Sequence, residues 1–204
     1  PVKDIEIVLP EDTTFANDFI RDTASMLIRP GDFLSEDILE KETVRSSAVM
    51  KNLGYFEFNK NHFFFEADTL SIPDTALLKM TINEYTRNET PEEAHPISKF
   101  YFNDVTISYP KTLKIREKVL NDLNTIKPGD IYSSDVVNNT YSRLSALRVF
   151  SSVNIGMTPV DSNKVNCTIN LSQSKPQGFK LNLEASSNST GLFGISPQLS
   201  YYHK

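Results

Sequence analysis

The sequence predicts an α+β fold: two tandem β-α-α-β-β modules, each a three-stranded mixed sheet with two helices on one face, followed by a β-hairpin. Three observations carry this. A twelve-residue run recurs 98 residues after its first appearance, each copy is succeeded by aromatic and β-branched sequence, and the segment from Phe179 alternates apolar with polar residues. At 204 residues and 39% hydrophobic composition, the chain holds enough material for two small domains.

A repeat decides an architecture before any local signal does. Here Ile28-Arg29-Pro30-Gly31-Asp32-Phe33-Leu34-Ser35-Glu36-Asp37-Ile38-Leu39 returns as Ile126-Lys127-Pro128-Gly129-Asp130-Ile131-Tyr132-Ser133-Ser134-Asp135-Val136-Val137. Ahead of each copy, residues fall at helical spacing: Phe15, Phe19, Thr23, Met26 and Leu27, then Ile115, Val119, Leu120 and Leu123. Proline cannot extend a helix and glycine accepts the left-handed conformation that ends one, so Gly31 and Gly129 are expected to terminate helices in equivalent places. Ser35 and Ser133 then cap a second helix, whose first turn holds Asp37 and Asp135 where the helix dipole favours negative charge. Its apolar positions are Ile38, Leu39, Val49, Met50 and Leu53 in one copy and Val136, Val137, Tyr141, Leu144 and Leu147 in the other. Pairing Phe56 with Phe150 gives an offset of 94, so the second copy's helix or exit turn is shorter by 4 residues, about one turn.

Strand composition follows in both copies. Tyr55 to Phe58, His62 to Glu66 and Leu77 to Asn83 are the candidates in the first, and Val149 to Ile155 and Val165 to Leu171 in the second. A further strand precedes each copy, Val2 to Leu9 and Phe100 to Tyr109. The division expected is a first module over 1–86, a linker over 87–97, a second module over 98–174, and a tail over 175–204.

Composition and motif content argue against several functions. Net charge is −5 with Lys and Arg dispersed, so no basic stripe is available for phosphates and no nucleic-acid partner is expected. Cys167 stands alone, which leaves no internal disulfide and no Cys-rich zinc site, and it is read as a small buried hydrophobe. His62, His95 and His203 lack metal-ligand spacing, and no nucleophile-elbow, Walker or dinucleotide glycine pattern occurs. The expectation is therefore no catalytic residue, no metal and no cofactor.

In the tail, Phe179, Leu181, Leu183 and Ala185 share one strand face opposite Lys180, Asn182 and Glu184, and a second strand runs through Phe193, Ile195, Leu199 and Tyr201 beyond Asn188-Ser189-Thr190-Gly191. Periodicity alone leaves two readings, an ordinary hairpin or the opening of a truncated outer-membrane barrel.

The module order, Pro-Gly-Asp before the second helix, the Gly54-Tyr55-Phe56 exit, and Leu144-x-x-Leu147-x-x-Phe150-x-x-Val153-x-Ile155 resemble POTRA domains of the BamA and TamA superfamily of outer-membrane assembly proteins. Gly54 to Lys60 with Phe65 to Thr69 resembles the Bacteroidota surface-antigen branch. The resemblance covers nearly the whole chain, although Arg148-Val149-Phe150 stands where a second Gly-Tyr-Phe exit is due. It implies a periplasmic region in front of an outer-membrane barrel, with unfolded outer-membrane clients and periplasmic accessory proteins or lipoproteins as partners. It also implies partner binding by strand addition after the second helix, which makes Phe56, Phe58, Phe63 and Phe65, and then Val153, Asn154 and Ile155, the candidate edge residues. The rival readings are a periplasmic enzyme and a division or adhesion module without a barrel.

Overall fold

The structure is a computed structural model describing residues 1–69, 74–112, 114–173, 177–187 and 193–203. The first module runs β1 (Val2–Val8), α1 (Thr13–Asp22), α2 (Glu36–Asn52), β2 (Phe63–Asp68) and β3 (Ala76–Ile82). The second repeats this order as β4 (Tyr101–Ser108), α3 (Glu117–Leu123), α4 (Ser134–Ser145), β5 (Phe150–Asp161) and β6 (Lys164–Gln173). Strands β7 (Gln177–Ser187) and β8 (Phe193–His203) pair antiparallel as a separate sheet. The expected turn over 188–191 lies outside the described residues.

In both modules the last strand is central, with strand orders β1-β3-β2 and β4-β6-β5. The first strand joins it parallel and the middle one antiparallel. Helices cover one face only, so alternate residues of the central strand are buried: Ala76, Leu78, Met80 and Ile82, matched by Val165, Cys167, Ile169 and Leu171. Burial pushes the Cys167 thiol up to about 11, as befits a packing residue.

The repeat reaches further than its sequence. Both first strands slip register at the same point, between Val2 and Asp4 and between Phe102 and Val105. At each bulge an aspartate accepts from the next amide, Ile5 N–H to Asp4 Oδ1 at 2.9 Å and Val105 N–H to Asp104 Oδ1 at 3.0 Å. The serine caps form as expected, Ser35 Oγ accepting from Ile38 N–H and Ser133 Oγ from Val136 N–H. Helix α4 has 12 residues against 17 in α2, a shortening close to the one turn expected.

Pro-Gly-Asp does something other than end a helix. Helix α1 stops at Asp22, extended only by a 3-10 turn over Thr23–Ser25, and α3 stops at Leu123, so both end well before their Pro-Gly pair. The glycines take left-handed φ values of 100° and 89° within a tight turn, and that turn hydrogen-bonds to the first strand. Gly31 N–H donates to Val2 O at 2.8 Å and Val2 N–H to Asp32 O at 2.8 Å. The same pair recurs from Gly129 N–H to Phe102 O at 2.7 Å and from Phe102 N–H to Asp130 O at 2.9 Å.

Tyr55 to Phe58 is a turn and not a strand, which corrects the strand expected there. Its rings are needed between elements: Phe58 and Tyr55 close the first core with Phe15, Phe19 and Phe63, and Tyr55 meets Phe15 edge-on at 5.1 Å. Helix α2 also departs from the apolar face expected, for it buries Glu42, Thr43, Ser46, Ser47 and Met50, while Leu53 stays exposed. Arg45 makes this possible by bridging Asp22 at 2.7 and 2.8 Å and Glu42 at 2.7 and 3.1 Å.

The modules interlock. Phe56 packs into the second core, edge-on to Tyr132 at 4.9 Å and tilted against Phe100 at 5.4 Å. Asn52 Oδ1 accepts from Ser134 Oγ at 2.6 Å and Asp135 N–H at 2.8 Å, so the end of one module's helix caps the start of the other's. Gly54 O accepts from Phe100 N–H at 2.9 Å. The segment expected as a linker is packed as well: Ile97 is buried in the first core, and beyond it Lys99 pairs with Asp18 at 2.7 Å.

Candidate partner-binding edges

A three-stranded sheet has two edges, each presenting backbone N–H and C=O groups that a further strand can satisfy. The two edges of each sheet are treated differently here. Along β1 and β4, the Pro-Gly-Asp turn takes the N–H and C=O of Val2 and Phe102, and the bulge aspartates take the next amides. Tyr132 N–H adds a bond to Phe100 O at 2.8 Å, and Tyr101 bridges Ile131. The first-strand edge is thus closed at its start in both modules.

Along β2 and β5, the outward groups follow from alternation in an antiparallel ladder. Asn83 N–H donates to His62 O at 3.0 Å, so the bonded pairs are His62 with Asn83, then Phe64 with Thr81 and Glu66 with Lys79. Phe63, Phe65 and Ala67 consequently aim their backbone outward. In β5 the register holds without slip from Val153 to Pro159, and Pro159 has no N–H to give to β6. The two-residue hairpin loop Ser162-Asn163 makes Asp161 and Lys164 a bonded pair, and the bulge between Pro159 and Asp161 then puts Thr158, Gly156 and Asn154 in bonded positions. Val153, Ile155 and Met157 face outward, in step with Pro159.

The structure therefore sorts the candidate residues. Val153 and Ile155 lie on the outer edge of β5, half-buried against the second core. Phe63 and Phe65 lie on β2, Phe63 fully buried and Phe65 half-buried. Asn154 is on β5, but its amide faces β6, so it is not an outward donor. Phe56 and Phe58 are not edge residues: they precede β2 in the turn, one in each core, because closing the two cores needs large rings there more than the edge needs a longer strand. Sequence reading also missed Arg87, which donates Nε and Nη2 to Phe63 O at 3.1 and 2.9 Å and lies 6.0 Å from the Phe64 ring. An arginine in a polar loop carries no signal of that contact.

His62 stands at the entry to β2, buried, with Nδ1 3.3 Å from the Asn59 amide. Burial lowers its pKa below the ordinary 6.5, outweighing the Asn59 backbone and Glu89. The unfolded chain takes a proton that the folded chain refuses, so this stability is complete above pH 6.5 and falls as pH drops through it. Replacing His62 with Gln should flatten the stability profile between about pH 7 and 5 in urea titrations; an unchanged slope would contradict the burial account.

Among the described residues, no group of three or more His, Cys, Asp or Glu is placed to hold a metal ion, and no helix is long and apolar enough to cross a membrane.

These modules have the architecture of POTRA domains: a three-stranded mixed sheet, two helices on one face, and the second strand at an edge. Residues 100–174, the second module, match the model of the POTRA family, described as a surface antigen variable number repeat. Solved structures share the fold, two of them with closely aligned architecture. POTRA domains 3–5 of Haemophilus influenzae BamA align with TM-score 0.54 and 12% identity over 84% of this chain. Haemophilus ducreyi BamA lacking POTRA domains 1–3 aligns with TM-score 0.64 and 12% identity over 95% of this chain. The chain spans 61% and 34% of those two structures. No curated protein sequence matches it.

Proposed function

We propose that this region is the periplasmic POTRA arm of an outer-membrane β-barrel assembly or translocation protein, and that it binds partners by strand addition at the β2 and β5 edges. The observation that carries the reading is the contrast between edges: the turn and the bulge aspartate close the start of β1 and β4, while β5 carries an unbroken row of outward backbone groups and β2 a shorter one. Main-chain pairing reads little sequence, which suits unfolded outer-membrane proteins as clients and periplasmic accessory proteins or lipoproteins as docked partners.

The tail supports the outer-membrane half of the proposal. Phe179 pairs with Tyr201, Leu181 with Leu199 and Leu183 with Pro197, so one face of the hairpin is an apolar stripe. Phe179, Leu181, Leu183 and Leu199 are each more than 60% exposed, a pattern that barrel strands direct at lipid.

A pair of proline variants tests strand addition. Met157→Pro removes an outward amide, as Pro159 already does two residues on, and should weaken binding of an extended peptide about tenfold or more while the module stays folded. Thr158→Pro removes a bond to β6 and should destabilise the module instead. Binding by Met157→Pro at wild-type affinity in a fluorescence titration would defeat strand addition at β5.

A further inference from the structure

The two open edges differ in a way the repeat does not require. Strand β5 is 12 residues long, and among the described residues no side chain bonds the outward backbone of Val153, Ile155 or Met157. Strand β2 has 6 residues. Its first outward acceptor, Phe63 O, is already taken twice by Arg87, whose own N–H donates to Asn61 O at 3.0 Å. Tyr85 packs on Phe64 at 5.6 Å, so the segment behind β3 lies across the start of the β2 edge.

We infer that Arg87 is a latch on the first module's edge, so that an incoming strand adds at β5 in the resting protein and at β2 only when the guanidinium is released. This rests on the strand-addition reading above and assigns it to one edge. An added strand needs Phe63 O as an acceptor, and a neutral amide must displace two charge-assisted bonds to reach it. Without that position only Phe65 and Ala67 offer outward groups, too few to register a strand. At β5 the row runs uninterrupted from Val153 to Met157.

The edge also fixes the chemistry of its occupant. Val153, Ile155 and Met157 pack against the helix-side core, whereas Ser152, Asn154 and Thr158 on the other face are exposed. A strand laid beside β5 continues both faces, apolar on the helix side and polar on the other. The fitting occupant is an extended peptide with alternating apolar and polar residues. Residues 177–187 of this chain, QGFKLNLEASS, have that pattern and supply a probe.

The experiment titrates this synthetic peptide into the isotope-labelled chain and follows every backbone amide. In the wild type, shifts are expected at Val153, Ile155 and Met157 and not along β2. In Arg87→Ala, a second set is expected at Phe65 and Ala67, with the β5 set and its affinity unchanged. Arg87→Lys, which cannot donate in parallel from a planar fork, should give the β2 set at weaker affinity. Shifts along β2 in the wild type, or a silent β2 in a folded Arg87→Ala whose β5 still binds, would overturn the latch and leave strand addition intact. Absence of shifts at β5 in every form would sink strand addition itself.

Discussion

Replacing Arg45 with alanine should destabilise the first module by about 3–5 kcal/mol, the largest effect expected of a single polar substitution here. Asp22 and Glu42 keep only 8% and 1% of their side-chain surface exposed, and Arg45 bridges both. Glu42 also accepts from Leu27 N–H at 2.8 Å, tying α2 to the chain that leaves α1. Removing the cation leaves two acidic groups in a space without a compensating charge. Arg45→Lys should recover only part of the loss, because one ammonium cannot fork to both carboxylates. Asp22→Asn with Glu42→Gln on the Arg45→Ala background should restore much of it by removing the stranded charges. Urea unfolding of the four forms checks this; an Arg45→Ala loss below about 1 kcal/mol would show the network to be dispensable.

Gly54→Ala should uncouple the modules. Gly54 sits at φ 112°, where any side chain is strained, and a Cβ there would lie 2.7 Å from Ile131 Cγ2 and 3.3 Å from Lys99 Cβ. Strain and overlap together should cost about 2–5 kcal/mol. The cost falls at the joint, since the clashing atoms belong to the second module's Pro-Gly-Asp turn and to the strand entry before Phe100. The expected result is a single urea transition in the wild type that separates into two in the variant, with amide shifts at Lys99, Phe100 and Ile131. A Gly54→Ala protein that still unfolds in one unshifted transition would mean the modules were never coupled through this joint. Phe56→Ala should act in the same direction, by withdrawing the ring that meets Phe100 and Tyr132.

The twelve-residue repeat made the architecture legible, because each copy carries a cap, a turn and a helix start in fixed order. Local chemistry specifies those features: Ser35 and Ser133 cap whatever surrounds them. The meaning of Pro-Gly-Asp was not legible. Its left-handed glycine was correctly placed, but its partner is the strand some 30 residues earlier, and sequence spacing says nothing of long-range hydrogen bonds. Tyr55 to Phe58 has strand composition, yet two cores compete for its rings, and packing overrides propensity. The polar burial on α2 was hidden for a similar reason: Glu42 and Ser46 look solvent-facing until Arg45 and Asp22 arrive beside them. At the edges, the sequence pointed to the segments that form β2 and β5 but could not give the direction of an amide. The unslipped register from Val153 to Pro159 turns Asn154 inward, and one residue of parity decides whether a backbone donor is free.

That parity offers the most direct test of the central claim, that partners join this arm by adding a strand to β5. Backbone hydrogen exchange in the free protein should alternate, slow at Asn154, Gly156 and Thr158 and fast at Val153, Ile155 and Met157. Saturation with the peptide QGFKLNLEASS should slow the fast set to the level of its neighbours and leave the slow set unchanged. Protection that appears on α4, spreads evenly along β5, or fails to reach Val153, Ile155 and Met157 would contradict strand addition at this edge.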